Sequence, residues 1–203
     1  MSKYDLIVIG AGPAGETGVI RAAQLGLKVA LVEKYPHLGG TCLNYGCIPT
    51  KALLESAKIW TKLNHVKDLG FDVGKPSFRW DDILKRKEGI VGAQRKGLLY
   101  LMKKNKVDVF SGEASFVSAQ QIKVKGEKDI ILDTKHTLVA TGSKVRHLPF
   151  VKVDGKFVHT SDTILSIEKV PASLAIIGGG IVGMEFASIF GRFGSQETDI
   201  EAL

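Results

Sequence analysis

Cysteine is scarce in this chain. Its 203 residues include two cysteines, Cys42 and Cys47, and both lie in the stretch GGTCLNYGCIPTKALL (39–54). Two cysteines this close exclude a disulfide-rich scaffold. Zinc is a poor interpretation, because metal sites use three or four clustered ligands and His37 is the only further candidate nearby. In a reducing compartment the pair is better explained as redox-active than as a structural staple.

Long hydrophobic runs are also missing. No apolar run reaches the length of a membrane span, and the apolar start of the chain is too short for a signal peptide. We therefore expect a cytoplasmic protein that does not enter membranes. The net charge of +7 would suit an anionic partner. However, the basic residues of segment 83–106 alternate with apolar ones at helical spacing, which predicts an amphipathic helix with a charged outer face rather than a nucleic-acid site.

Glycine, by contrast, is abundant and reveals an internal repeat. LIVIGAGPAG (6–15) and LAIIGGGIVG (174–183) are the same construction, 168 residues apart. In each, an apolar strand runs into G-x-G-x-x-G and then into a helix-like stretch. Gly26 matches Gly194, and Glu33 matches Glu201. The register therefore holds over the length of one βαβ unit.

Each G-x-G-x-x-G predicts a dinucleotide site. The first glycine permits a tight turn, the second lets the backbone approach a pyrophosphate, and the third lets the helix pack on the strand. The acidic residue at the end of the next strand would accept the ribose hydroxyls. A plain glycine turn is the alternative, but two copies with the same spacing argue against it. The predicted residues are Gly10, Gly12, Gly15 and Glu33 in the first copy, and Gly178, Gly180, Gly183 and Glu201 in the second.

These patterns predict an α/β fold in two parts. Residues 1–150 would form a Rossmann-like domain with a three-layer parallel sheet, and residues 151–203 would begin a second, incomplete one. Between the two glycine motifs we expect a helix from near Pro49 and the long amphipathic helix from near Asp81 or Asp82. Short strands are expected at 107–118, 121–126, 129–133 and 136–143.

Backbone geometry limits how the two cysteines could bond. Residues i and i+5 of a regular helix have Cα atoms about 8–9 Å apart, whereas a disulfide needs roughly 4.4–6.8 Å. The segment therefore cannot be regular helix if the sulfurs bond. Gly39, Gly40 and Gly46 supply backbone freedom, and Pro49 cannot donate a hydrogen bond to the carbonyl of Tyr45. A bridge at a helix start is compatible with this pattern.

Taken together, these motifs resemble the flavoprotein disulfide reductase family. The C-x4-C-x-P context is specific to it, and IPTK is most similar to the dihydrolipoamide dehydrogenases. The resemblance implies oxidation of dihydrolipoamide through a Cys42–Cys47 redox disulfide and FAD, with reduction of NAD. The implied partner is dihydrolipoamide on a lipoyl-carrying protein of a 2-oxo acid dehydrogenase or glycine-cleavage complex. The intact enzyme would be a homodimer.

The resemblance also implies roles for single residues. The first glycine motif and Glu33 would hold the ADP half of FAD, and the second motif with Glu201 would bind NAD in preference to NADP. Cys42 would meet the substrate, and Cys47 would stack on the flavin. Lys51, paired with Glu185, would sit beside flavin N5. Other implied flavin or adenine contacts are Gly40, Thr41, Ala114, Thr141, Gly142 and Ser143.

Two departures from the family set further expectations. The family's catalytic base, a His–Glu pair in a C-terminal domain, has no counterpart here, so the 203-residue chain alone is expected to be inactive. Another disulfide or mercuric reductase of the family, or an inactive flavin-binding remnant, remain alternatives.

The second departure is that Glu197 and Asp199 align with the apolar Val29 and Leu31 of the first copy. Burying either carboxylate would be costly, and Arg192 is the only nearby basic residue. We therefore expect 195–203 to be frayed or solvent-exposed, and the second unit not to be a competent NAD site in this polypeptide.

Overall fold

Two stretches of sequence build each half of this molecule. The computed structural model describes residues 3–201. One unit contains the residues up to 44 and 92–144, and the other contains 45–91 and the residues from 145 onward. Each unit is a set of residues that contact one another, whereas each predicted domain is a segment expected to bind one nucleotide. The boundary near residue 150 therefore stays a prediction.

A six-stranded sheet forms the first unit, in the order β3-β2-β1-β6-β5-β4. Its strands are β1 (Lys3–Ile9), β2 (Val29–Glu33), β3 (Asp108–Ser111), β4 (Glu113–Ser118), β5 (Gln121–Lys125) and β6 (Ile130–Val139). The pairs β3–β2, β2–β1 and β1–β6 are parallel, and β5 runs antiparallel to both of its neighbours. The predicted Rossmann-like α/β fold is confirmed, with a sheet that is mainly parallel.

The core of the first unit follows from its sequence pattern. All five residues of β2 are buried, as expected for an apolar strand inside a parallel sheet. Helix α1 (Pro13–Gln24) follows β1 and starts with a proline, whose missing N–H costs no bond at that position. The buried cluster beside the sheet contains Tyr4, Ile7, Ala30, Val32, Ile122, Val124 and Leu132.

Two strand predictions need correction. Segment 107–118 was predicted as one strand but forms β3 and β4, because Gly112 breaks it with φ 152°. A Cβ at Gly112 would lie 2.6 Å from the carbonyl oxygen of Lys125. Conversely, 129–133 and 136–143 were predicted as separate strands, but β6 joins the first to the start of the second, and it ends at Val139, before residues 140–143. Pairing with β1, from Lys3 opposite Asp133 to Ile9 opposite Val139, holds it extended.

Helices and a short sheet form the second unit. It contains α3 (Cys47–Asn64), the start of α4 (Trp80–Lys104), β7 (Ser173–Ile177), α5 (Ile181–Arg192) and β8 (Gln196–Ile200), with 3₁₀ turns at Val66–Leu69 and Ile164–Ser166. Strands β7 and β8 pair in parallel. The core cluster contains Leu53, Ala57, Trp80, Ile164, Leu165, Phe186, Ile189, Phe190 and Phe193.

Two buried polar groups of α4 tie its start into this unit. The indole N–H of Trp80 donates to the carbonyl of Ile167 at 2.9 Å. The ammonium of Lys87, almost fully buried, donates to the carbonyl of Leu165 at 2.8 Å and pairs with Glu88. These bonds satisfy polar groups that would otherwise be costly to bury.

Helix α4 is the long amphipathic helix predicted from the sequence. It begins at Trp80, so Asp81 and Asp82 lie in its first turn instead of capping it, and Lys103 and Lys104 lie in its last turn. Both charge placements favour the helix dipole. Over residues 3–201, no helix combines the length and the hydrophobicity needed to cross a membrane.

Candidate nucleotide-binding sites and redox segment

Two glycines of the loop between β1 and α1 are required by the protein's own packing. Gly10 has φ 99°, and a Cβ there would lie 2.3 Å from the carbonyl oxygen of Ala140. A Cβ at Gly15 would lie 1.8 Å from the carbonyl oxygen of Gly10. Neither glycine can carry a side chain unless the backbone moves. The first and third positions of the motif therefore have the roles in the turn and in helix packing that the sequence predicted.

Gly12, the second glycine, is not required by packing. Its backbone is ordinary, with φ −76° and ψ −177°, and the nearest atom to a Cβ there would be the Cα of Gly40 at 3.8 Å. It is also the N-cap of α1, and no side chain caps that helix. A Cβ at Gly12 would therefore make an ordinary van der Waals contact and no clash, and the uncapped N–H groups beside it fit a pyrophosphate. The loop Gly10–Gly15, here named the first cradle, therefore suits a dinucleotide.

Glu33 fixes the shape of this loop. The side chain is buried. One carboxylate oxygen accepts from the N–H of Ala11 at 2.7 Å, and the other accepts from the N–H of Tyr35 at 3.0 Å. A carboxylate offers about four acceptor positions, so capacity for ribose hydroxyls remains. The predicted ribose contact stays a prediction.

A second loop packs against the cradle. Gly39 donates its N–H to the carbonyl of Ala11 at 2.7 Å. Gly40 has φ 56°, and a Cβ there would lie 2.5 Å from the Cα of Gly12. The Gly40 backbone thus lies directly on the glycine predicted to face the ligand. Thr41, the next residue, is exposed.

The helix break around the cysteines lies earlier than the sequence argument placed it. Cys42 is half-buried in α2 (Gly40–Asn44), and Cys47 is the exposed first residue of α3. Gly46, with φ −135° and ψ −112°, separates the two helices. Pro49 lies in the first turn of α3, where a missing N–H costs no bond. Gly46, not Pro49, therefore interrupts the helix.

Sequence reasoning missed two polar residues of the first unit. The side-chain amide of Asn44 donates to the carbonyls of Leu38, at 3.0 Å, and Gly40, at 2.8 Å. Its oxygen accepts from Nε of Arg95, in α4, at 2.7 Å. The position of Asn44 within the cysteine motif was a usable signal. Arg95 gave none, because it was one of many basic residues on an amphipathic helix.

Lys51 and Glu185 meet in the second unit, as the family resemblance implied. The ammonium of Lys51 in α3 forms an ion pair with Oε1 of Glu185 in α5. The Lys51 side chain is 58% exposed and that of Glu185 is 25% exposed. The pair places the Lys51 ammonium, whose charge Glu185 balances, one helical turn past Cys47.

The second cradle, the loop Gly178–Gly183, repeats the first closely. Gly178 has φ 110°, and a Cβ at Gly183 would lie 2.1 Å from the carbonyl oxygen of Gly178. A Cβ at Gly180 would meet nothing within 4 Å. The carboxylate of Glu201 accepts from the N–H of Gly179 at 2.5 Å. The Glu201–Gly179 bond thus corresponds to the Glu33–Ala11 bond.

The prediction that the last segment frays is wrong for the described residues. β8 forms, and Leu174 lies opposite Glu197 in the register that places Leu6 opposite Val29 in the first copy. The expected exposure holds for Gln196, Thr198, Asp199, Ile200 and Glu201. It does not hold for Ser195, which is buried and whose hydroxyl donates to the carbonyl of Pro171 at 2.6 Å. Residues 202 and 203 lie outside the described part of the chain.

Glu197 is the half-buried exception in this strand. Its Oε1 is buried without a hydrogen-bond partner, and its Oε2 lies against Gly191 of α5. Burial raises the pKa of Glu197; the backbone of Gly191 partly offsets this, and the charge of Asp199 adds to it. Arg192 instead bonds to the hydroxyls of Ser188 and Thr61.

The remaining predicted contacts fall in two places of the first unit. Thr141, Gly142 and Ser143 follow β6, and the Cα of Thr141 would lie 3.1 Å from a Cβ at Gly10. Ala114 lies in β4, opposite Val124. The structure thus brings Thr141 to the cradle, and the ligand contacts of all four residues stay predictions. Among residues 3–201, no group of three or more His, Cys, Asp or Glu side chains could hold a metal ion.

Comparison with known proteins decides the family. Residues 4–203 match the model described as pyridine nucleotide-disulphide oxidoreductase. The chain belongs to this family. The resemblance inferred from the glycine and cysteine motifs is therefore confirmed, and with it membership of an oxidoreductase family.

Curated relatives and solved structures agree with this assignment. Dihydrolipoyl dehydrogenase of Acholeplasma laidlawii is 44% identical, over 100% of this chain and 61% of the relative. The Bacillus subtilis protein of the same name is 44% identical, over 97% of this chain and 43% of the relative. The HOCl-induced flavoprotein disulfide reductase RclA from Escherichia coli has a TM-score of 0.80 at 30% identity, over 97% of this chain and 41% of RclA. A Cu(II) complex of RclA matches with the same TM-score. The chain thus spans from two fifths to three fifths of the length of these proteins.

Proposed function

We propose that the protein carrying this chain is a flavoprotein that oxidises dihydrolipoamide to its disulfide and reduces NAD⁺. The observation that carries the proposal is the occurrence of a C-x4-C segment in one chain with two matching dinucleotide cradles. Dithiol oxidation needs an electron acceptor, and two cradles provide for FAD and for NAD. Relatives named dihydrolipoyl dehydrogenase favour this substrate over other disulfides.

The cysteines would act by thiol–disulfide exchange. A thiolate of dihydrolipoamide attacks Cys42 of the Cys42–Cys47 disulfide, which forms a mixed disulfide and releases the Cys47 thiolate. The second substrate thiol then attacks the substrate sulfur of the mixed disulfide. This closes the lipoamide ring and leaves Cys42 reduced. A bound flavin supplies the transfer of two electrons from the dithiol to NAD⁺.

Residues of this chain favour the charged species that this chemistry needs. Cys47 begins α3, and the positive end of a helix favours a thiolate. Lys51 supplies a cation, and Glu185 keeps it compensated. Glu33 and Glu201 hold the two cradle loops in shape through the N–H groups of Ala11 and Gly179.

The proposal extends to the partners and the compartment that the sequence suggested. We infer a lipoyl-carrying protein as the source of dihydrolipoamide, a homodimer as the working form of the intact protein, and a cytoplasmic location. These follow from the family resemblance and from the composition of the chain.

The test uses the intact protein that contains this chain. Purified protein should be yellow and should reduce NAD⁺ with dihydrolipoamide. Cys42→Ser and Cys47→Ser should each abolish this turnover while flavin stays bound. Faster turnover with NADPH and glutathione disulfide, mercuric ion or cupric ion would replace the proposal by its alternative. That alternative is a disulfide or metal-ion reductase of the same family, which the likeness to RclA favours.

A further inference from the structure

We propose that Arg95 is a positioning residue of the redox segment. Through Asn44, it would hold α2, the short helix that carries Cys42. The inference depends on the proposed function only in treating Cys42 as a reactive thiol.

Asn44 is the polar centre of this arrangement. It is the last residue of α2 and is buried. Its NH₂ group donates to the carbonyls of Leu38 and Gly40, so one side chain connects the end of α2 to its start and to the preceding loop. Both amide hydrogens and the amide oxygen are engaged. Losing any one of these partners would leave a buried polar group unsatisfied.

Arg95 fixes the orientation of that amide. A guanidinium can only donate, so it must face the oxygen of Asn44, and the NH₂ group must then face the two carbonyls. Arg95 is half-buried, and within residues 3–201 it forms no ion pair with an acidic side chain. Its guanidinium instead donates to the neutral amide of Asn44, which accepts a charge-assisted hydrogen bond.

Helix α2 depends on such outside contacts. It has five residues, far fewer than the number at which an isolated helix becomes stable. At its start, Gly39 bonds to Ala11 and Gly40 packs on Gly12. At its end, Leu43 is buried and Asn44 is held by Arg95. Cys42 lies between these two anchors, so its half-buried position relies on both.

The experiment measures the two thiols separately in the intact, reduced protein. Short pulses of iodoacetamide, followed by chymotryptic cleavage after Tyr45 and mass spectrometry, give an alkylation rate for each cysteine. Arg95→Met should speed alkylation of Cys42 by about tenfold, since the anchored state loses a charge-assisted bond and opens more often. The rate at Cys47, which starts a different helix, should stay within about twofold.

Further variants test the route through Asn44. Lys96→Met removes the neighbouring exposed cation of α4 and should leave both rates unchanged. Arg95→Lys keeps the charge and should give a smaller increase, of about threefold, and it replaces Arg95→Met should that variant not fold. In an Asn44→Ala background, Arg95→Met should add less than about twofold, because the two residues act as one unit.

Three results would overturn the inference. These are an unchanged Cys42 rate, equal acceleration at both cysteines, and additive effects of the Asn44 and Arg95 substitutions. Equal acceleration would mean that Arg95 stabilises the protein generally. Failure of the proposed function is distinguishable: selective acceleration at Cys42 in a protein that does not oxidise dihydrolipoamide would support the positioning role and refute the substrate.

Discussion

Adding a single methyl group at Gly180 tests whether this glycine is required for ligand binding rather than for packing. Gly180 has φ −69° and ψ 176°, which any residue can adopt, and a Cβ there would meet nothing within 4 Å. Gly180→Ala should therefore change the free energy of unfolding by less than about 1 kcal/mol. Gly183→Ala is the matched control. Its Cβ would lie 2.1 Å from the carbonyl oxygen of Gly178, and we expect a loss of about 1–3 kcal/mol or more.

Nucleotide binding should respond in a different way. If a pyrophosphate lies against the Gly180 backbone, the added methyl takes that space and pushes the phosphates away from the N–H groups of α5. We expect NADH to bind at least about tenfold more weakly, which corresponds to about 1.4 kcal/mol. Titration of the intact protein with NADH, beside its thermal unfolding midpoint, measures both quantities.

Affinity and stability together decide the outcome. Unchanged NADH affinity in Gly180→Ala, with a normal unfolding midpoint, would refute the assignment of this loop as a pyrophosphate cradle. An unchanged midpoint in Gly183→Ala would refute the packing argument itself. Gly12→Ala and Gly15→Ala provide the same comparison for flavin content in the first cradle.

Three carboxyl side chains give further predictions. Glu197→Val should slow hydrogen exchange across β8 of the intact protein by roughly 5- to 10-fold at pH 7, about 1 kcal/mol for removing a half-buried group with an unpaired oxygen. Burial raises the pKa of Glu197 above its usual 4.5, so the wild type loses stability as the pH rises through the raised pKa. The stability gained by Glu197→Val should therefore shrink towards pH 4. A gain that does not change with pH would contradict this. Glu185→Gln should lower the free energy of unfolding by less than about 1 kcal/mol, because Lys51 is mostly exposed. It should lower turnover with dihydrolipoamide about tenfold or more. Turnover equal to that of the wild type would show that the Lys51–Glu185 pair has no role in the reaction. Glu16 lies in the first turn of α1, and burial raises its pKa. Glu16→Gln should strengthen flavin binding about two- to fivefold at pH 7, because it removes a negative charge near the predicted position of the flavin diphosphate. Titration of the apoprotein with FAD measures this.

The repeat made the local geometry predictable from sequence. Spacing alone placed Glu201 relative to Gly178, and the structure gives the same strand register in both copies. The failed prediction for β8 came from assuming that aligned positions are equally buried. Val29 is buried in the first copy, but Asp199 is exposed and Glu197 is only half-buried in the second. Pairing of β8 with β7 therefore buries neither the Glu197 nor the Asp199 carboxylate completely.

Contacts between residues distant in sequence were beyond this reasoning. Neither the helical period nor the spacing of motifs connects Arg95 to Asn44, because the link depends on where α4 lies against the end of α2 within the first unit. The long β6 strand was missed for a related reason. Lys135, in the gap between the two predicted strands, has a low strand propensity, and pairing of its neighbours Thr134 and His136 with β1 holds this part of the chain extended.

The two acidic residues at the cradles show that a ligand role and a structural role can coincide. Glu33 is buried and Glu201 is exposed, yet each accepts the N–H of the residue between the first two glycines of its motif. That N–H would otherwise be an unsatisfied donor at the turn. Loss of either carboxylate should therefore loosen the loop as well as remove a ribose acceptor. Reduced nucleotide affinity in Glu201→Ala would consequently report both effects. Glu201→Gln, which keeps one acceptor oxygen for Gly179, separates them, because it preserves the loop and relieves the repulsion of a 2′-phosphate. If Glu201 selects NAD, then Glu201→Gln should gain NADPH binding while NADH binding falls only slightly.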